Sequence, residues 1–284
     1  MPDTELISVV VTTYNRSDAL ALVLAGLKAQ SDPCFEVIVA DDGSTADHRA
    51  VVQSASRRLG LKLAHVWHPD IGFTASQVRN LGVAAACGDY IVFLDGDCVP
   101  EVDFVAQHRK LMQPGCFVNG SRVLLAPELT DELLSTPHSP IGLTASYWLR
   151  QRWAGHASKL TGLLRLPDGR FRCHPKFRWK GIRSCNLAVW RDDYQKLNGF
   201  DETFVGWGHE DADFVLRLHN VGLVRKNGFC ATEVFHLWHR ESNRSQEGVN
   251  ADKVRARITS GQVRATVGYE ESLAGSDVTV QTWG

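Results

Sequence analysis

The sequence lacks an excess of charge of either sign, and it lacks the glycine-rich signatures of common nucleotide-binding proteins. Its 31 Lys and Arg residues balance 32 Asp and Glu residues, which argues against nucleic acid as a partner. No Gly-x-Gly-x-x-Gly follows a predicted strand, and the P-loop pattern is also missing. Any nucleotide is therefore not held by a glycine cradle at the N-terminus of a helix.

Clustered cysteines and long apolar runs are absent as well. Seven cysteines are scattered without a Cys-x-x-Cys pair, which is typical of reduced thiols in a cytosolic protein. No stretch approaches the roughly 18 apolar residues of a membrane span. Asp3 and Glu5 precede the first strand, a pattern unlike that of a signal peptide. We expect a cytoplasmic protein that acts in solution or at the inner face of the cell membrane.

Apolar strands alternate with helices of about a dozen residues along the first part of the chain. This alternation predicts βαβ units with right-handed crossovers, and therefore an α/β fold with a mainly parallel central sheet flanked by helices. The predicted strands are 7–11, 36–40, 62–66, 90–94, 116–123, 185–190 and 234–239. The predicted helices start at Ser17, cover 46–59 and 74–86, follow Pro100, start at Glu210 and cover 251–258. The last ten residues are expected to be loose.

Two carboxylates end the most apolar predicted strand. Asp95 and Asp97 follow residues 90–94, at the sheet edge where open α/β sheets bind ligands. Carboxylates there suit Mg²⁺ or Mn²⁺ bridging to a phosphate. Asp-Gly-Asp is also ordinary turn chemistry, so the motif alone leaves both interpretations open.

Polar side chains follow two other strands at the same edge. Asp42 follows the second strand, where it can accept a hydrogen bond from the imide of a base, and Tyr14 follows the first strand, where it can pack on a ring. A plain turn between strand and helix is the alternative for the segment around Asp42. Late in the chain, His236 is a candidate third metal ligand with His239 as competitor, although a histidine in an apolar strand is more often a core residue.

A glycine-flanked tryptophan precedes three acidic residues. The segment 206–208 reads Gly-Trp-Gly, which permits a tight loop close to a ligand. Glu210, Asp211 and Asp213 then begin a helix, where the helix dipole favours acids. A capping role accounts for one of them, but three exceed that need. Asp213 is expected to pair with Arg217 on the helix surface.

Residues 141–183 are strongly basic and aromatic, with Asp168 as the only acid. The basic residues are Arg150, Arg152, Lys159, Arg165, Arg170, Arg172, Lys176, Arg178, Lys180 and Arg183, and the aromatics are Tyr147, Trp148, Trp153, Phe171, Phe177 and Trp179. One interpretation is a solvated insertion whose aromatics pack beneath it. Another is a surface for an anionic membrane or a phosphorylated acceptor. Single-stranded nucleic acid fits less well, given the neutral chain.

Taken in order, these motifs resemble the inverting GT-A glycosyltransferases of family 2. The series is Val-Thr-Thr-Tyr-Asn-Arg, Asp-Asp-Gly-Ser, Arg79-Asn-x-Gly, Asp95-Gly-Asp97 and Gly199-Phe-Asp-Glu, followed by Trp-Gly-x-Glu-Asp. The last motif is similar to that of β-1,4-galactosyltransferases and chondroitin-type polymerases. The resemblance covers roughly residues 6–240. The His-Leu-Trp-His segment leaves the third metal ligand open between His236 and His239, and the basic insertion matches nothing in the family pattern.

The resemblance implies metal-dependent, inverting transfer of a hexose or N-acetylhexosamine. The expected donor is a UDP-sugar, with a dTDP-sugar (rhamnosyl transfer) as the alternative, and the expected cofactor is Mn²⁺ or Mg²⁺. The expected acceptor is a glycan or glycolipid of bacterial surface polysaccharide or lipopolysaccharide synthesis, with peripheral contact to an anionic membrane through 141–183. A sugar-phosphate nucleotidyltransferase and a non-catalytic glycan-binding module are the alternatives of other classes.

The resemblance also implies roles for individual residues. Asp211 matches the general base, Glu210 a residue that holds sugar hydroxyls, and Asp97, Asp95 and His236 the metal ligands. The implied donor-binding residues are Thr12, Tyr14, Asn15, Arg16, Asp42, Arg79, Asp95, Gly96 and Asp97, and the implied acceptor-binding residues are Trp207, Gly208 and Asn186.

The implied organisation is a catalytic domain over 1–240 and an extension over 241–284. Within the domain we expect a nucleotide-binding half at 1–123, the basic insertion at 124–184 and an acceptor-binding, catalytic half at 185–240.

Overall fold

The structure, a computed structural model, describes residues 5–135, 142–240, 244–274 and 277–284. Asp3 and Ile141, which enter the sequence arguments above, lie outside these ranges, as do residues 241–243 of the extension. None of the helices in these ranges is long and apolar enough to cross a membrane.

The structure contains a large mixed sheet and a small second sheet. The strands are β1 Ile7–Thr13, β2 Phe35–Asp41, β3 Leu63–Trp67, β4 Tyr90–Asp95, β5 Cys98–Pro100, β6 Cys116–Asn119, β7 Ser121–Leu124, β8 Cys173–His174, β9 Asn186–Trp190, β10 Val224–Asn227, β11 Glu233–His236 and β12 Thr279–Trp283. The large sheet has the order β12-β3-β2-β1-β4-β9-β6-β10-β8, and the small sheet has the order β5-β11-β7.

Helices cover both faces of the large sheet. They are α1 Ser17–Lys28, α2 Ala46–Leu59, α3 Ala75–Ala85, α4 Phe104–Leu111, α5 Pro127–Ser135, α6 Ala145–Trp153, α7 Arg191–Lys196, α8 Glu210–Asn220, α9 Glu247–Ser260 and α10 Tyr269–Leu273. Single turns of 3-10 helix lie at Thr161–Leu163 and Arg170–Arg172.

Burial on both faces explains why the central strands are apolar without a break. In β4, Val92 and Leu94 point into one core with Leu24 of α1, whereas Phe93 points into the other core with Phe214 of α8. Both faces of a strand between two helix layers must be apolar, so the alternation seen in half-exposed strands is lost. The predicted α/β fold with a parallel centre is therefore confirmed.

The parallel register brings the polar strand ends together. Thr12 of β1 lies beside Asp95 of β4, and Thr13 lies beside Asp41 of β2. The residues that follow these strands consequently share one edge of the sheet, as the sequence predicted. This edge is the floor of the candidate site.

The strand predicted at 116–123 is instead two strands in different sheets. The chain turns at Gly120, whose backbone N–H donates to Asn186 O at 2.7 Å. A Cβ at position 120 would lie 2.1 Å from the side chain of Asn186, so only glycine permits this approach. After the turn, β7 pairs with β11 and leaves the large sheet.

The prediction that the last ten residues are loose is wrong for 279–283, while residues 275 and 276 lie outside the described ranges. Strand β12 pairs antiparallel with β3, and the ring of Trp283 stacks on His65 with 4.1 Å between centroids. Trp283 is buried there, and this burial together with the β3 ladder fixes the segment. The helix predicted at 251–258 begins earlier, as α9.

Asp213 and Arg217 form the predicted ion pair, but the prediction that this pair lies on the surface is wrong. The two side chains do pair at 2.8 Å, but both are fully buried. Helix α9 covers them, and Arg257 of α9 contacts Asp213 and also Asp201. A spacing of four residues identifies the pair, but only the docking of a distant helix decides its exposure.

Candidate active site

A cleft of about 760 Å³ opens at the carboxyl ends of β1, β2 and β4. Every predicted site residue except Asn15 and Asn186 lines it. The predicted donor-binding residues from the first half of the chain therefore line the same cavity as the acidic first turn of α8. Its volume, and its lining of apolar side chains with a few charged groups, are those expected of a small-molecule site.

Arg79 is the electrostatic centre of the cleft. Its guanidinium, on α3 and only 4% exposed, donates to Asp95 Oδ1 at 3.2 Å and to Glu210 Oε1 at 3.3 Å. Thr12 Oγ1 also donates to Asp95 Oδ1, at 2.9 Å. Asp95 is thus held by protein donors, and Arg79 compensates two carboxylates that would otherwise repel each other.

Asp97 lies in a different environment, beside two histidines. Asp97 Oδ1 is 3.8 Å from His236 Nε2, and Asp97 Oδ2 is 3.2 Å from His239 Nε2. The pairing of β5 with β11 causes this arrangement, because it places His236 opposite Cys98 and lets Leu237 N–H donate to Asp97 O at 2.9 Å.

The donor atoms around Asp97 fit a divalent metal of the Mn²⁺ type. Asp97, Cys98 and His236 each offer a ligand atom, and these atoms lie within 4.8 Å of one another. Burial lowers the pKa of His236, which favours the neutral imidazole that a ligand requires. Burial also raises the pKa of the Cys98 thiol well above its usual range, so sulfur is a poor ligand here. Carboxylate and imidazole remain, a set that suits Mn²⁺.

The segment 206–209 is a strained loop that presents the first turn of α8. Gly206 and Gly208 have φ of 74° and 109°, and His209, which precedes the helix, has φ of 70°. Trp179 Nε1 donates to His209 Nδ1 at 3.3 Å and supports this conformation. A non-glycine residue in the left-handed region is held by its surroundings and marks a functional loop.

Glu210 and Asp211 are acids whose charge is destabilised by their surroundings. Burial raises the pKa of Asp211, and burial together with the neighbouring Asp211 raises the pKa of Glu210. The positive charge of Arg79 acts in the opposite direction on both pKa values. A carboxylate with a raised pKa is a better proton acceptor than an exposed one, as a general base requires.

Asp42 is oriented by residues that the sequence did not single out. Thr74 donates to it through its backbone N–H, at 3.0 Å, and through its hydroxyl, and His68 Nε2 lies 3.1 Å from Oδ1. His68 Nδ1 faces Pro69 O at 2.8 Å, so both ring nitrogens face acceptors. Although burial acts against the charged ring, Asp42 and Pro69 raise the pKa of His68. The Asp42 carboxylate is thereby fixed at the cleft.

Gly96 and Tyr14 also lie where the sequence predicted. Gly96 N–H donates to Thr12 O at 2.7 Å, and a Cβ at Gly96 would lie 2.8 Å from the same oxygen. The hydroxyl of Tyr14 donates to Asp70 at 2.9 Å, which holds the ring at the rim of the cleft. Backbone approach at Gly96 therefore brings the loop after β4 close to the cleft floor.

The prediction that Asn186 binds a sugar is wrong. Asn186 is 1% exposed, and its amide nitrogen donates to Ser121 O, at 3.1 Å, and to Thr232 O. Its amide oxygen lies 3.1 Å from His108 Nε2. All of its polar atoms are used inside the protein, so Asn186 joins the two sheets and cannot reach a ligand.

Asn15 supports the cleft from behind and does not line it. Its backbone N–H donates to Ser44 Oγ at 2.9 Å, and its side chain accepts from Thr45 N–H at 3.0 Å. These bonds tie the loop after β1 to the loop after β2. The structure gives Asn15 this connecting role and no face on the cleft.

The basic insertion is partly structural and partly exposed. Arg172 is buried and donates to four backbone carbonyls, and Trp148 is buried against Phe235 with 4.0 Å between centroids. In contrast, Trp153 is 94% exposed. Arg183 and Trp179 line the cleft, which the composition of the insertion did not reveal.

Arg122, Trp238 and Arg244 also line the cleft, although the sequence analysis did not select them. The guanidinium of Arg244 lies 4.7 Å from the ring centroid of Trp207. Arg122 and Arg244 stand outside the motifs, and Trp238 stands between two histidines that drew the attention in its segment, so only the folded chain identifies all three.

Two family models match the chain. The model for "Glycosyl transferase family 2" matches residues 8–158, and the model for "N-terminal domain of galactosyltransferase" matches residues 169–240. Chondroitin synthase of Pasteurella multocida (strain Pm70) is 31% identical over 234 residues, 76% of this chain and 23% of that protein. The chain thus spans about a quarter of the length of this curated relative.

Solved structures share the fold at low sequence identity. The Staphylococcus aureus TarS 1-349 structure in complex with UDP-GlcNAc is 17% identical, with a TM-score of 0.60 over 94% of this chain and 69% of that one. The mannosyltransferase PcManGT from Pyrobaculum calidifontis, in complex with GDP-Man and Mn²⁺, is 18% identical, with a TM-score of 0.57 over 88% of this chain and 64% of that one.

Proposed function

The chain belongs to glycosyltransferase family 2, and from this premise we propose that it transfers a hexose or N-acetylhexosamine from a UDP-sugar to a glycan acceptor, with inversion and with Mn²⁺ or Mg²⁺ as cofactor. That it is a glycosyltransferase with a GT-A fold, as the sequence predicted, is confirmed. The donor, the metal dependence and the acceptor are the proposed parts.

One observation carries the proposal. The Asp97–His236 cluster and the Glu210–Asp211 pair line the same cleft, with Arg79 and Asp95 between them. A metal-binding group and a proton acceptor on opposite sides of a donor sugar are what inverting transfer needs. A sugar-phosphate nucleotidyltransferase has no use for the acids at the start of α8.

Each part of the cleft has a distinct task in this proposal. Asp97 and His236 would hold the cation, with His239 as the neighbouring alternative, and a bound cation would supply positive charge against the departing nucleoside diphosphate. Asp211 accepts the proton of the acceptor hydroxyl. Glu210 holds sugar hydroxyls, and Arg79 keeps it and Asp95 in place.

Asp42 supports a uracil-containing donor. Three donors from Thr74 and His68 orient its carboxylate, and a remaining lone pair can accept the imide N–H of uracil. Thymine carries the same imide, so a dTDP-sugar remains the alternative within the class. One solved neighbour binds UDP-GlcNAc and the other GDP-Man, so the fold alone does not select the base.

We further propose that the chain acts in the cytoplasm, at the inner face of a bacterial membrane, in surface polysaccharide or lipopolysaccharide synthesis. Support comes from α6, where Leu149 and Trp153 are exposed beside Arg150 and Arg152. Replacing both arginines by glutamine should weaken binding to phosphatidylglycerol vesicles but not to neutral ones. Unchanged binding to the anionic vesicles would exclude this surface. The buried Arg172 is unsuited to the test.

The organisation into a nucleotide-binding half at 1–123 and an acceptor-binding half at 185–240 also stays a proposal. The insertion at 124–184 separates these halves in sequence, yet β9 of the second half lies between β4 and β6 of the first. The extension at 241–284 contributes α9 and β12, which pack on the same body.

Metal-dependent donor hydrolysis tests the proposed function. In the presence of Mn²⁺ and a UDP-sugar we expect release of UDP, and EDTA should abolish it. Asp97→Asn should abolish the Mn²⁺-dependent release of UDP, because it removes a charged metal ligand. The exposed Asp131→Asn on α5 should leave this release unchanged. Release of pyrophosphate would instead support a nucleotidyltransferase, and absence of any turnover a glycan-binding module.

A thermal-shift screen of nucleotide sugars with Mn²⁺ selects the donor. A ligand at a hundredfold excess over its Kd stabilises the folded state by about 2.7 kcal/mol. We expect UDP-sugars to raise Tm more than dTDP- or GDP-sugars. A larger shift with a dTDP-sugar would favour rhamnosyl transfer.

A further inference from the structure

The loop 178–183 lies on the side of the cleft where the proton acceptor is. Trp179 donates to His209, and the backbone of Ser184, directly after the loop, hydrogen-bonds to Asp211. Lys180, Gly181 and Arg183 line the cleft. In the proposed reaction the acceptor hydroxyl approaches Asp211, so this loop borders the acceptor and not the diphosphate of the donor.

The loop is supported from below by a buried arginine. Arg225 of β10 is 9% exposed, and its guanidinium donates to Arg178 O at 3.5 Å and to Gly181 O at 3.3 Å. Both bonds go to neutral carbonyls at long distances. Arg225 Nε is buried and has no hydrogen-bond partner. A buried guanidinium normally pairs with a carboxylate, and this one does not.

Positive charge accumulates around Arg225 without compensation. Arg178, Lys180 and Arg183 belong to the loop, and within the described ranges none of these three cations nor Arg225 forms an ion pair with a carboxylate. Asp168, the only acid among residues 141–183, pairs with Lys226 at 2.7 Å and is therefore already used.

The pKa values of the neighbouring titratable groups are consistent with an excess of positive charge around Arg225. Burial, with Arg183 and Arg178 adding to it, lowers the pKa of Arg225. Burial followed by Arg225 lowers the pKa of His174 and of His219. The neighbouring charges that act on Arg225, those of Arg183 and Arg178, are both positive, so the electrostatic potential at the loop favours an anion.

We propose that loop 178–183, with Arg225 beneath it, binds an anionic group of the acceptor, a carboxylate of an acidic sugar or a phosphate. The proposal rests on the proposed glycosyl transfer, since it names the chemistry of that reaction's acceptor. An arginine fork on a rigid support suits both oxyanions, because each offers two oxygens to parallel N–H donors. Arg183 is the contact that faces the cleft, and Arg225 fixes the loop that carries it.

Sulfate binding to the donor-loaded protein tests the site. The whole chain is saturated with UDP and Mn²⁺, which occupies the diphosphate position, and Tm is then followed as sodium sulfate is added. Sodium chloride at equal ionic strength is the reference. We expect a saturable rise of Tm with sulfate only, and Arg183→Gln should weaken the apparent affinity about tenfold, the effect of one charged hydrogen bond.

The matched control is Arg58→Gln. Arg58 is exposed on α2, and no residue of α2 lines the cleft. It should leave the sulfate response unchanged. Equal responses of Arg183→Gln and the parent protein, or no response beyond that of chloride, would show that the loop binds no anion and that Arg225 only holds its backbone. Lys180→Gln repeats the test at a solvent-exposed position, so a folding defect is not confused with lost binding.

Competition distinguishes the two sources of the anion. Glucuronate but not glucose should displace sulfate if the group is a sugar carboxylate, and glycerol 3-phosphate should displace it if the group is a phosphate. UDP release from the donor without an acceptor is measured in parallel. If Arg183→Gln loses sulfate binding and keeps this release, both proposals stand; if release is absent from the parent protein, the proposed function fails independently of the anion site.

Discussion

Asp211 lines the cleft, where an acceptor can reach it, but its burial disfavours the charged form of its carboxylate. Its carboxylate accepts from Ala212 N–H at 2.7 Å and lies near Arg79, so it is held in one orientation. We expect Asp211→Asn to reduce transfer by at least ~10²-fold, the usual scale of a general base. Donor affinity should persist, because the asparagine keeps the shape of the cleft. Rates of transfer and the Kd of the UDP-sugar are the measurements.

The control for this change is Asp192→Asn, an exposed acid in the first turn of α7. Like Asp211 it begins a helix, so it reports any general effect of losing a first-turn charge. A transfer rate close to that of the parent protein in Asp211→Asn would move the base to another residue.

The raised pKa of Asp211 also sets the direction of the pH dependence. The base must be ionised, so the rate of transfer falls as pH falls through this pKa, and the fall begins above the range of an ordinary aspartate. Glu210→Gln removes a neighbouring negative charge and should shift the acid limb of kcat/KM to lower pH. An acid limb that stays unchanged or moves to higher pH would contradict the proposed effect of the Glu210 charge on the pKa of Asp211.

At the scale of elements, α9 supports the loop 206–209 although it lies outside the predicted catalytic domain. Asn250 is 1% exposed and donates to Val205 O at 3.2 Å and to Gly208 O at 2.9 Å, on either side of Trp207. Lys253 reaches Thr203 O, and Arg257 pairs with Asp213 of α8. The positions of Trp207 and Asp211 thus depend on a helix that follows them in the sequence.

Asn250→Asp should therefore reduce the rate without affecting the donor. A carboxylate at position 250 has no N–H to donate to the carbonyls of Val205 and Gly208, so we expect the loop 206–209 to shift. We expect kcat to fall by about 10- to 10²-fold, as for small misplacements of catalytic groups, with little change in the Kd of UDP. Asn220→Asp is the matched control, because the amide of Asn220 also donates to a carbonyl, Gln262 O at 2.8 Å, but on an exposed surface. Equal effects of the two changes would show that α9 has no positioning role.

For the whole molecule, β12 closes the edge of the large sheet. Trp283 is buried against His65, whose ring contacts the buried Asp41 at 3.0 Å. We expect Trp283→Ala to lower the free energy of unfolding by about 3 kcal/mol, the scale of a buried tryptophan. The exposed Val280→Ala on the same strand should change it by less than about 0.5 kcal/mol. Denaturant midpoints give both values, and similar values would mean that the strand is dispensable.

The sequence alone was sufficient for the centre of the fold and for the donor side of the cleft. Residues 90–94 are apolar on both faces because helices cover both sides, and this pattern is local. Polar residues such as Thr12, Asp42 and Asp95 lie at or just past the carboxyl ends of parallel strands. Parallel strands end at one edge, so the chain order of these residues already predicts that they meet.

Tertiary structure decided the features that depend on contacts between distant segments. The pairing of β5 with β11 sets His236 and His239 beside Asp97, which no local pattern specifies. The family resemblance assigned Asn186 to a ligand, and helix spacing placed Asp213 on the surface, but distant segments bury both. Burial is a property of what packs over a residue, so the sequence predicts the chemistry that a side chain offers, and the folded chain decides whether a ligand can reach it.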